Sequence, residues 1–216
     1  MTYTRLWPVE LEHGRLRLRP LRRRDRAAWE EVQLRNRDWL QPWEATAPDG
    51  SVPPSYAGMV AGLRRQAREG RALPFAIEVD GRLRGQLTVS MLAWGAFRSG
   101  SVGYWIDRQV AGRGHVPCAV GLAADHCFAG GVHRLEINIR PENAPSLAVV
   151  RKLGLRDEGL RRGLLHIDGD WRDHVSFAVL ADEVPEGLHA RAHAAREVPR
   201  EASRDDLGNG GSATRL

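Results

Sequence analysis

The sequence has 216 residues, 42% of them hydrophobic, which is long enough for one globular domain with a substantial core. No run of about 18 apolar residues occurs, and the first residues lack the apolar segment and cleavage site of a secretion signal. The formal net charge is +5 and is carried almost entirely by arginine, which invites a nucleic-acid interpretation. With only Cys118 and Cys127 as thiols, we expect a cytoplasmic, non-membrane protein whose cysteines are buried and reduced.

The first predicted elements are a strand and a helix. Residues 15–20 alternate leucine with arginine, as in a half-buried strand that ends at Pro20. Asp25 occupies the position of a helix N-cap. The helix that follows carries an apolar stripe that includes Ala28, Trp29, Val32 and Leu34.

An arginine-rich stretch overlaps both elements. Between Arg15 and Arg26, seven arginines are separated by a single acid. A solvated strand and helix start would explain this run. A surface for ribosomal RNA or an acidic partner is the alternative.

A second helix and a hairpin come next. After a loop over 41–55, near-helical apolar spacing predicts a helix from Ser55 to about Glu69. The Asp80-Gly81 pair predicts a tight turn that joins strands at Phe75–Val79 and Leu83–Leu92.

The centre of the sequence predicts a βαβ unit. A strand at Val102–Asp107 leads through a glycine-rich loop into a helix at 116–129, which stops at Gly130-Gly131. A strand at Leu135–Ile139 completes the unit.

The elements predicted in the C-terminal part of the chain are short. We predict a short helix at Ser146–Leu153 and final strands at Leu155–Gly159 and Val175–Leu180. The sum is an α/β (α+β) domain over residues 1–182. An extension over 183–216 contains one helix at 186–197 and is expected to be disordered from about Val198.

The loop from Gln109 to His115 has the character of a pyrophosphate-binding loop. Gly112 and Gly114 lack a Cβ, so the backbone can curl and let a phosphate approach its amides. The N-terminus of the following helix adds unpaired N–H groups and the positive end of its dipole. A tight strand-to-helix turn without a ligand has the same glycine pattern.

A second motif follows about thirty residues later. Asn143, Ser146 and Lys152–Leu155 stand in the order and spacing of the GNAT acetyltransferases. From about Gly14 to Leu180 the chain resembles the RimJ/RimL branch of that superfamily, which acetylates the N-termini of ribosomal proteins. The other segments that carry the resemblance are 16–21, 36–44, 102–107 and 133–136.

The resemblance implies a fold and a cosubstrate. The GNAT fold has a mixed, mostly antiparallel sheet with flanking helices, in which two parallel strands, here Val102–Asp107 and Leu135–Ile139, splay apart. Acetyl-CoA binds in that opening. By this resemblance Trp105, Ile106 and Asp107 hold the pantetheine, and Arg113, Gly114 and His115 hold the pyrophosphate. The remaining cofactor contacts are expected from Gln109, Gly112, Val116 and Asn143.

The resemblance also suggests the catalytic groups. In many members a tyrosine seven positions after the motif asparagine is the candidate general acid, but here that position is Val150. Ser146 is therefore the expected proton donor to the leaving thiolate, with helix capping as the competing role. Glu44 and Glu136 are the candidate general bases, and an ordered water is an alternative to both.

Two further groups of side chains have spacings or positions that bear on a site. His115 with Cys118, and His126 with Cys127, lack a second pair at ligand spacing, so no metal site is expected. Trp39, Trp43 and Trp94 lie in or beside predicted loops and are expected to wall the acceptor pocket.

The resemblance points to the N-terminal α-amine of a ribosomal protein, with alanine or serine first and S5 as the example. Such an amine has a pKa of about 7.7–8.0 and is partly neutral at cellular pH. The alternatives are a small-molecule amine (an amino acid, a polyamine or an aminoglycoside), aminoacyl-tRNA, and a non-catalytic protein with a vestigial cofactor site. Contact with the ribosome and a monomeric or homodimeric state are both expected.

Overall fold

A computed structural model describes the backbone of residues 6–197 and the side chains of residues 6–192. Its centre is an eight-stranded sheet in the order β1-β2-β3-β4-β5-β6-β8-β7. The strands are β1 Leu11–His13, β2 Leu16–Pro20, β3 Leu73–Val79, β4 Arg82–Ala93, β5 Ser99–Ile106, β6 Arg134–Ile139, β7 Arg156–Ile167 and β8 Asp170–Leu180. The helices are α1 Arg26–Arg35, α2 Arg37–Leu40, α3 Tyr56–Arg68, α4 His115–Ala129, α5 Ala144–Leu153 and α6 Leu188–Glu197. The α/β fold predicted from the sequence is confirmed.

The sheet opens between β5 and β6, its parallel pair. These strands are paired only where Ser99–Ser101 face Arg134–Glu136. Beyond this point β5 continues beside β4 as far as Ile106, and β6 continues beside β8 as far as Ile139. The two strands therefore leave a gap between their C-terminal halves, as the GNAT resemblance implied.

Helices cover the sheet on two faces. The larger apolar core packs α4, α5 and α6 against the sheet, and the smaller one packs α1 and α3. Alternation along β5 sends Val102, Tyr104 and Ile106 to the larger core and Trp105 to the smaller. Consecutive residues at the end of β5, beside the gap, thus point to opposite faces of the sheet.

Several local predictions are confirmed. The helix predicted from Ser55 to about Glu69 is α3, and the Ser55 side chain caps it by accepting a hydrogen bond from the Gly58 amide at 3.3 Å. Asp80 and Gly81 have φ values of 54° and 70°, which suit a two-residue hairpin turn. Both cysteines are buried and free.

Asp25 is the N-cap residue of α1, as predicted, but its side chain makes no capping hydrogen bond to the helix. Although α1 begins at Arg26, the Asp25 carboxylate accepts from Arg19 Nη1 at 2.7 Å, from Arg19 Nη2 at 2.9 Å and from the Arg22 amide at 2.8 Å. Arg19 is buried, and a buried guanidinium needs a charged partner. The ion pair therefore takes the carboxylate that the sequence offered as a cap.

Leu34 was also placed wrongly, since its side chain is 75% exposed. The final strands were predicted much too short. β7 and β8 form a long hairpin, and β7 is exposed along almost its whole length. Its residues therefore carry no alternating apolar pattern from which to predict a strand.

The arginine-rich stretch is largely neutralised by acids. Arg15 pairs with Asp80, Arg17 with Glu10 and Glu12, Arg19 with Asp25 and Glu78, Arg22 with Glu10, and Arg26 with Glu30. These pairs favour the structural explanation of the run over a nucleic-acid surface.

The helix expected at 186–197 is α6. Its residues Leu188 and Ala192 are buried in the larger core, and Asp125 accepts hydrogen bonds from the amides of Leu188 and His189 at 2.6 and 3.1 Å. The start of the expected extension therefore packs with the domain. The prediction of disorder from Val198 concerns residues outside the described part of the chain.

Two classes of feature are not seen within residues 6–197. No helix there has the length and apolar character needed to cross a membrane. No group of three His, Cys, Asp or Glu side chains in the same range is close enough to hold a metal ion.

Candidate active site

A cleft of about 730 Å³ occupies the gap between β5 and β6. Because residues from the helices of both faces line it, the cleft reaches through the opening in the sheet. One wall comes from the glycine-rich loop, α4 and α5, and contains Val110, Ala111, Gly112, Gly114, His115, Val116, Pro117, Asn143, Pro145, Ser146, Ala148, Val149 and Lys152. The other comes from α1, α2, α3, the sheet and the loop after α2, and contains Trp29, Gln33, Trp39, Leu40, Trp43, Glu44, Ala45, Pro53, Pro54, Met59, Gln86 and Trp105. Tyr104 and Ile106 of β5 also line the cleft, from the face of the sheet that packs against α4 and α5.

The loop before α4 has a shape that requires glycine. Gly112 and Gly114 have φ values of 73° and 81°, in the left-handed region, and Gly114 is the N-cap of α4. A Cβ on Gly112 would meet nothing within 4 Å, so backbone conformation, and not packing, explains this glycine. The amides at the start of a helix have no acceptor within the helix. The α4 N-terminus therefore offers a site for an anionic group.

Asp107 anchors this loop from behind. Its fully buried carboxylate accepts from Arg35 Nη2 at 2.6 Å, Asn36 Nδ2 at 3.0 Å and Arg84 Nη1 at 2.8 Å. It also accepts from the Gln109 amide at 3.2 Å. Burial by itself would raise the pKa of Asp107, but these hydrogen bonds outweigh burial and lower the pKa to about 2.

Three of the expected cofactor residues thus lie outside the cleft. Asp107 is enclosed by its partners, Gln109 contacts Arg84 and Asp107, and Arg113 is not among the lining residues. The anchoring role of Asp107 was not predicted from the sequence, because the partners Arg35, Asn36 and Arg84 are distant from Asp107 in the chain.

The start of α5 presents Ser146 to the cleft. Asn143 is the N-cap, and its Oδ1 accepts a hydrogen bond from the Ser146 amide at 3.2 Å. Capping is therefore performed by Asn143, and Ser146 takes part through its backbone. Val150 is fully buried in the larger core, so this position supplies no acid.

Tyr104 lies in the same part of the cleft. Its hydroxyl is buried and has no hydrogen-bond partner among the described residues. Burial raises the pKa of Tyr104 to about 12, and an interaction with the Ser146 side chain, which falls short of hydrogen-bond geometry, opposes this rise.

The two candidate bases differ in position. Glu44 lines the cleft, and its carboxylate takes no part in the hydrogen bonds or ion pairs described for residues 6–192. Glu136 is not a lining residue. It pairs with Arg134 at 2.8 Å and with Arg161 at 3.2 Å.

These pairs make Glu136 a weaker base. Burial would raise the pKa of Glu136, but the hydrogen bonds of Arg134 and Asn138 and the nearby Arg161 lower it. The structure therefore favours Glu44 as the carboxylate that can reach a ligand.

Four tryptophans lie in the wall that includes α1 and α3. Trp39 and Trp43 were expected there, and Trp29 and Trp105 join them, with their rings 6.0 Å apart in an edge-to-face arrangement. Trp94 lies elsewhere, contrary to expectation, and donates from Nε1 to the Gly70 carbonyl at 2.9 Å. This wall suits an acceptor with apolar atoms near its amine.

The loop that carries Trp43 and Glu44 is fixed at both sides. Arg140, which follows β6, donates from Nη1 to the Pro42 carbonyl at 2.8 Å and lies 5.4 Å from the Trp43 ring centroid. On the other side, Ala45 bridges to Ile167 at the tip of the β7–β8 hairpin. The Glu44 carbonyl also accepts from the Asp168 amide at 3.2 Å. The hairpin that the sequence underestimated therefore helps to place Glu44.

Comparisons with known proteins agree with this geometry. The family model described as an acetyltransferase (GNAT) domain matches residues 15–156. The structure of Mycobacterium smegmatis RimJ in complex with CoA-disulfide is 40% identical, with a TM-score of 0.83, and the match covers 88% of this chain and 96% of that one. The ribosomal protein uS5-alanine N-acetyltransferase of Escherichia coli is 29% identical over 161 residues, which is 72% of this chain and 83% of that protein.

A further relative matches a shorter region. The probable N-acetyltransferase YjcK of Bacillus subtilis is 34% identical over 102 residues, or 47% of this chain and 56% of YjcK.

Proposed function

The chain belongs to the GNAT acetyltransferase family and is an acetyl-CoA-dependent N-acetyltransferase, and from this premise we propose that its acceptor is the N-terminal α-amine of a ribosomal protein. Alanine or serine is the proposed first residue. The observation that carries the proposal is the cleft itself, in which a helix N-terminus and Ser146 on one wall face Glu44 and four tryptophans on the other.

Similarity supports the choice of acceptor. The RimJ structure at 40% identity and the uS5-alanine N-acetyltransferase at 29% identity both match most of this chain. In the proposed arrangement the Gly112–Val116 backbone binds the pyrophosphate, with Lys152 as a nearby cation. Trp105 and Ile106, on the open edge of β5, bind the pantetheine, and Asn143 completes the site from α5.

The proposed chemistry needs few side chains. A neutral amine attacks the thioester carbonyl, and Glu44, or water held by it, accepts the proton that the amine loses. Ser146 donates a proton to the departing thiolate. An N-terminal amine is partly neutral near pH 7.7–8.0, so modest assistance from Glu44 suffices.

Intact-mass analysis of ribosomal proteins tests the acceptor. We expect one subunit to be lighter by one acetyl group in cells that lack this gene, and the mass to return when the gene is restored. If every ribosomal protein keeps its mass, the acceptor is a different amine, and a screen of small amines for CoA release becomes the next test.

Ser146→Ala tests the proposed acid. We expect kcat to fall by about 10²-fold or more, within the range for a positioned general acid, with KM for acetyl-CoA nearly unchanged. Ser146 contributes its amide, and not its side chain, to the helix cap, so stability should be preserved. An unchanged kcat would remove Ser146 from the mechanism.

Glu44→Gln tests the proposed base, with Glu136→Gln as the matched variant outside the cleft. We expect Glu44→Gln to lower kcat and flatten the acidic limb of the pH–rate profile. Glu136→Gln should leave that limb in place. The reverse pattern would assign the base to Glu136.

A further inference from the structure

Tyr104 is the feature of the cleft that packing alone does not explain. Its ring lies on β5 against the larger core, yet its hydroxyl is buried without a hydrogen-bond partner among the described residues. A buried polar group in this state lowers stability, and phenylalanine would fill the same space without that cost. The hydroxyl is therefore expected to form its hydrogen bond only when a ligand is bound.

The residues around this hydroxyl indicate what its role is. Both Tyr104 and Ser146 line the cleft where the sheet opens, and the Ser146 side chain is the neighbour that acts on the Tyr104 hydroxyl. The tyrosine that many family members carry on the helix after the motif asparagine is replaced by Val150, which is fully buried. A phenol is thus missing from α5 but present on β5.

We propose that Tyr104 is a second member of the acid: its hydroxyl hydrogen-bonds to Ser146 Oγ during the reaction, and the two hydroxyls together deliver one proton to the leaving thiolate. The inference rests on the proposed role of Ser146. It assigns to a strand residue the part that a helix tyrosine has in other members.

The proton balance is complete without a further reactant. The amine nitrogen bonds to the carbonyl carbon, and the carbon–sulfur bond breaks. The thiolate takes the Ser146 Oγ proton while Ser146 takes the Tyr104 Oη proton. Water then reprotonates the Tyr104 phenolate, and Glu44 or water carries away the proton lost by the amine.

A phenol also makes this sequence of transfers easier than serine alone would. An unperturbed phenol has a pKa of about 10, and even in this buried site the pKa of Tyr104 is about 12. The negative charge left after proton donation therefore rests on the phenol, which holds it better than an aliphatic hydroxyl. A chain of hydrogen bonds in a buried site also polarises its members.

Tyr104→Phe, Ser146→Ala and the double variant test the pair. Single-turnover CoA release is measured with acetyl-CoA and a synthetic peptide that begins with alanine. Tyr104→Phe should slow release by roughly tenfold or more while KM for acetyl-CoA stays within about twofold. Because the two hydroxyls act as a unit, the double variant should be about as slow as Ser146→Ala alone.

Thermal unfolding separates this role from a structural one. Since Tyr104→Phe removes an unpartnered buried hydroxyl, its Tm should equal or exceed that of the unmodified protein. Tyr56→Phe is the matched control, because the Tyr56 hydroxyl donates to the Arg22 carbonyl at 2.8 Å and Tyr56 does not line the cleft. This control should lower Tm and leave the rate unchanged.

Two results would overturn the inference. One is a Tyr104→Phe rate within about twofold of the unmodified protein. The other is a double variant slowed by the product of the two single effects, which would mean that the hydroxyls act independently. If the peptide is not acetylated but a small amine releases CoA, the proposed acceptor fails, and the same variants test the pair with that amine.

Discussion

At the scale of single residues, two buried charges organise the structure around them. Arg19 and Asp107 are both buried, and each has a partner that is distant in the chain: Glu78 for Arg19, and Arg35 for Asp107. Arg19 binds the Asp25 carboxylate, which therefore makes no capping hydrogen bond to α1. Asp107 anchors the loop before α4. Ser146 and Asn143 could be placed from the sequence because their roles depend on local spacing.

Asp107→Asn should destabilise the fold and weaken acetyl-CoA binding. The change leaves Arg35 and Arg84 without their carboxylate, which we expect to lower the free energy of unfolding by about 1–3 kcal/mol. Urea unfolding measures this loss. Asp80→Asn, in an exposed ion pair with Arg15, is the control and should change stability little.

The Asp107 anchor also predicts a pH dependence. The pKa of Asp107 is about 2 in the fold, below its ordinary value of 3.8, so its stabilising effect is present above pH 3.8. That effect is lost as the pH falls from about 3.8 towards 2, because the unfolded chain then binds the proton more readily. The stability difference between the unmodified protein and Asp107→Asn should shrink over this range. A constant difference from pH 7 to pH 2 would contradict the anchor.

At the scale of elements, hydrophobic periodicity predicted the half-buried helices and strands and missed most of the exposed strand β7. The hairpin at Asp80-Gly81 and the unit from β5 through α4 to β6 were found, since each has an apolar face or a defined turn. β7 is exposed along nearly its whole length, so no alternation marked it. The consequence for the site is direct, because the tip of this hairpin fixes the loop that carries Glu44.

Arg140→Ala should loosen that loop without affecting the other wall of the cleft. It removes a hydrogen bond to the Pro42 carbonyl and a cation–π contact with Trp43. We expect KM for the acceptor to rise about three- to tenfold, since such contacts contribute about 0.5–1.5 kcal/mol. Acetyl-CoA affinity should be unchanged.

Arg68→Ala is the control for this variant, since Arg68 is exposed on α3 and does not line the cleft. Its acceptor KM should match that of the unmodified protein. A rise in acetyl-CoA Kd in Arg140→Ala, with no change in acceptor KM, would show that the loop serves the opposite wall.

At the scale of the whole molecule, the active site is a consequence of one topological feature. The parallel strands β5 and β6 pair over three residues and then separate, and the cleft reaches both helical layers through the gap. The family resemblance allowed this opening to be predicted. The composition of its walls could be predicted only in part: Trp39, Trp43, Glu44 and Trp105 were expected there, whereas Trp29 looks like an ordinary core residue in the sequence.

The central claim is that acetyl-CoA binds in this opening, and calorimetric titration tests it most directly. Ala148 is exposed on α5 and lines the cleft, so Ala148→Trp should fill the binding space while the fold remains intact. Ala144→Trp places the same side chain on the same helix outside the cleft and is the control. We expect one site per chain in the unmodified protein and in Ala144→Trp, and a loss of affinity of at least tenfold in Ala148→Trp. Undiminished binding to Ala148→Trp, or no binding to the unmodified protein, would contradict the account.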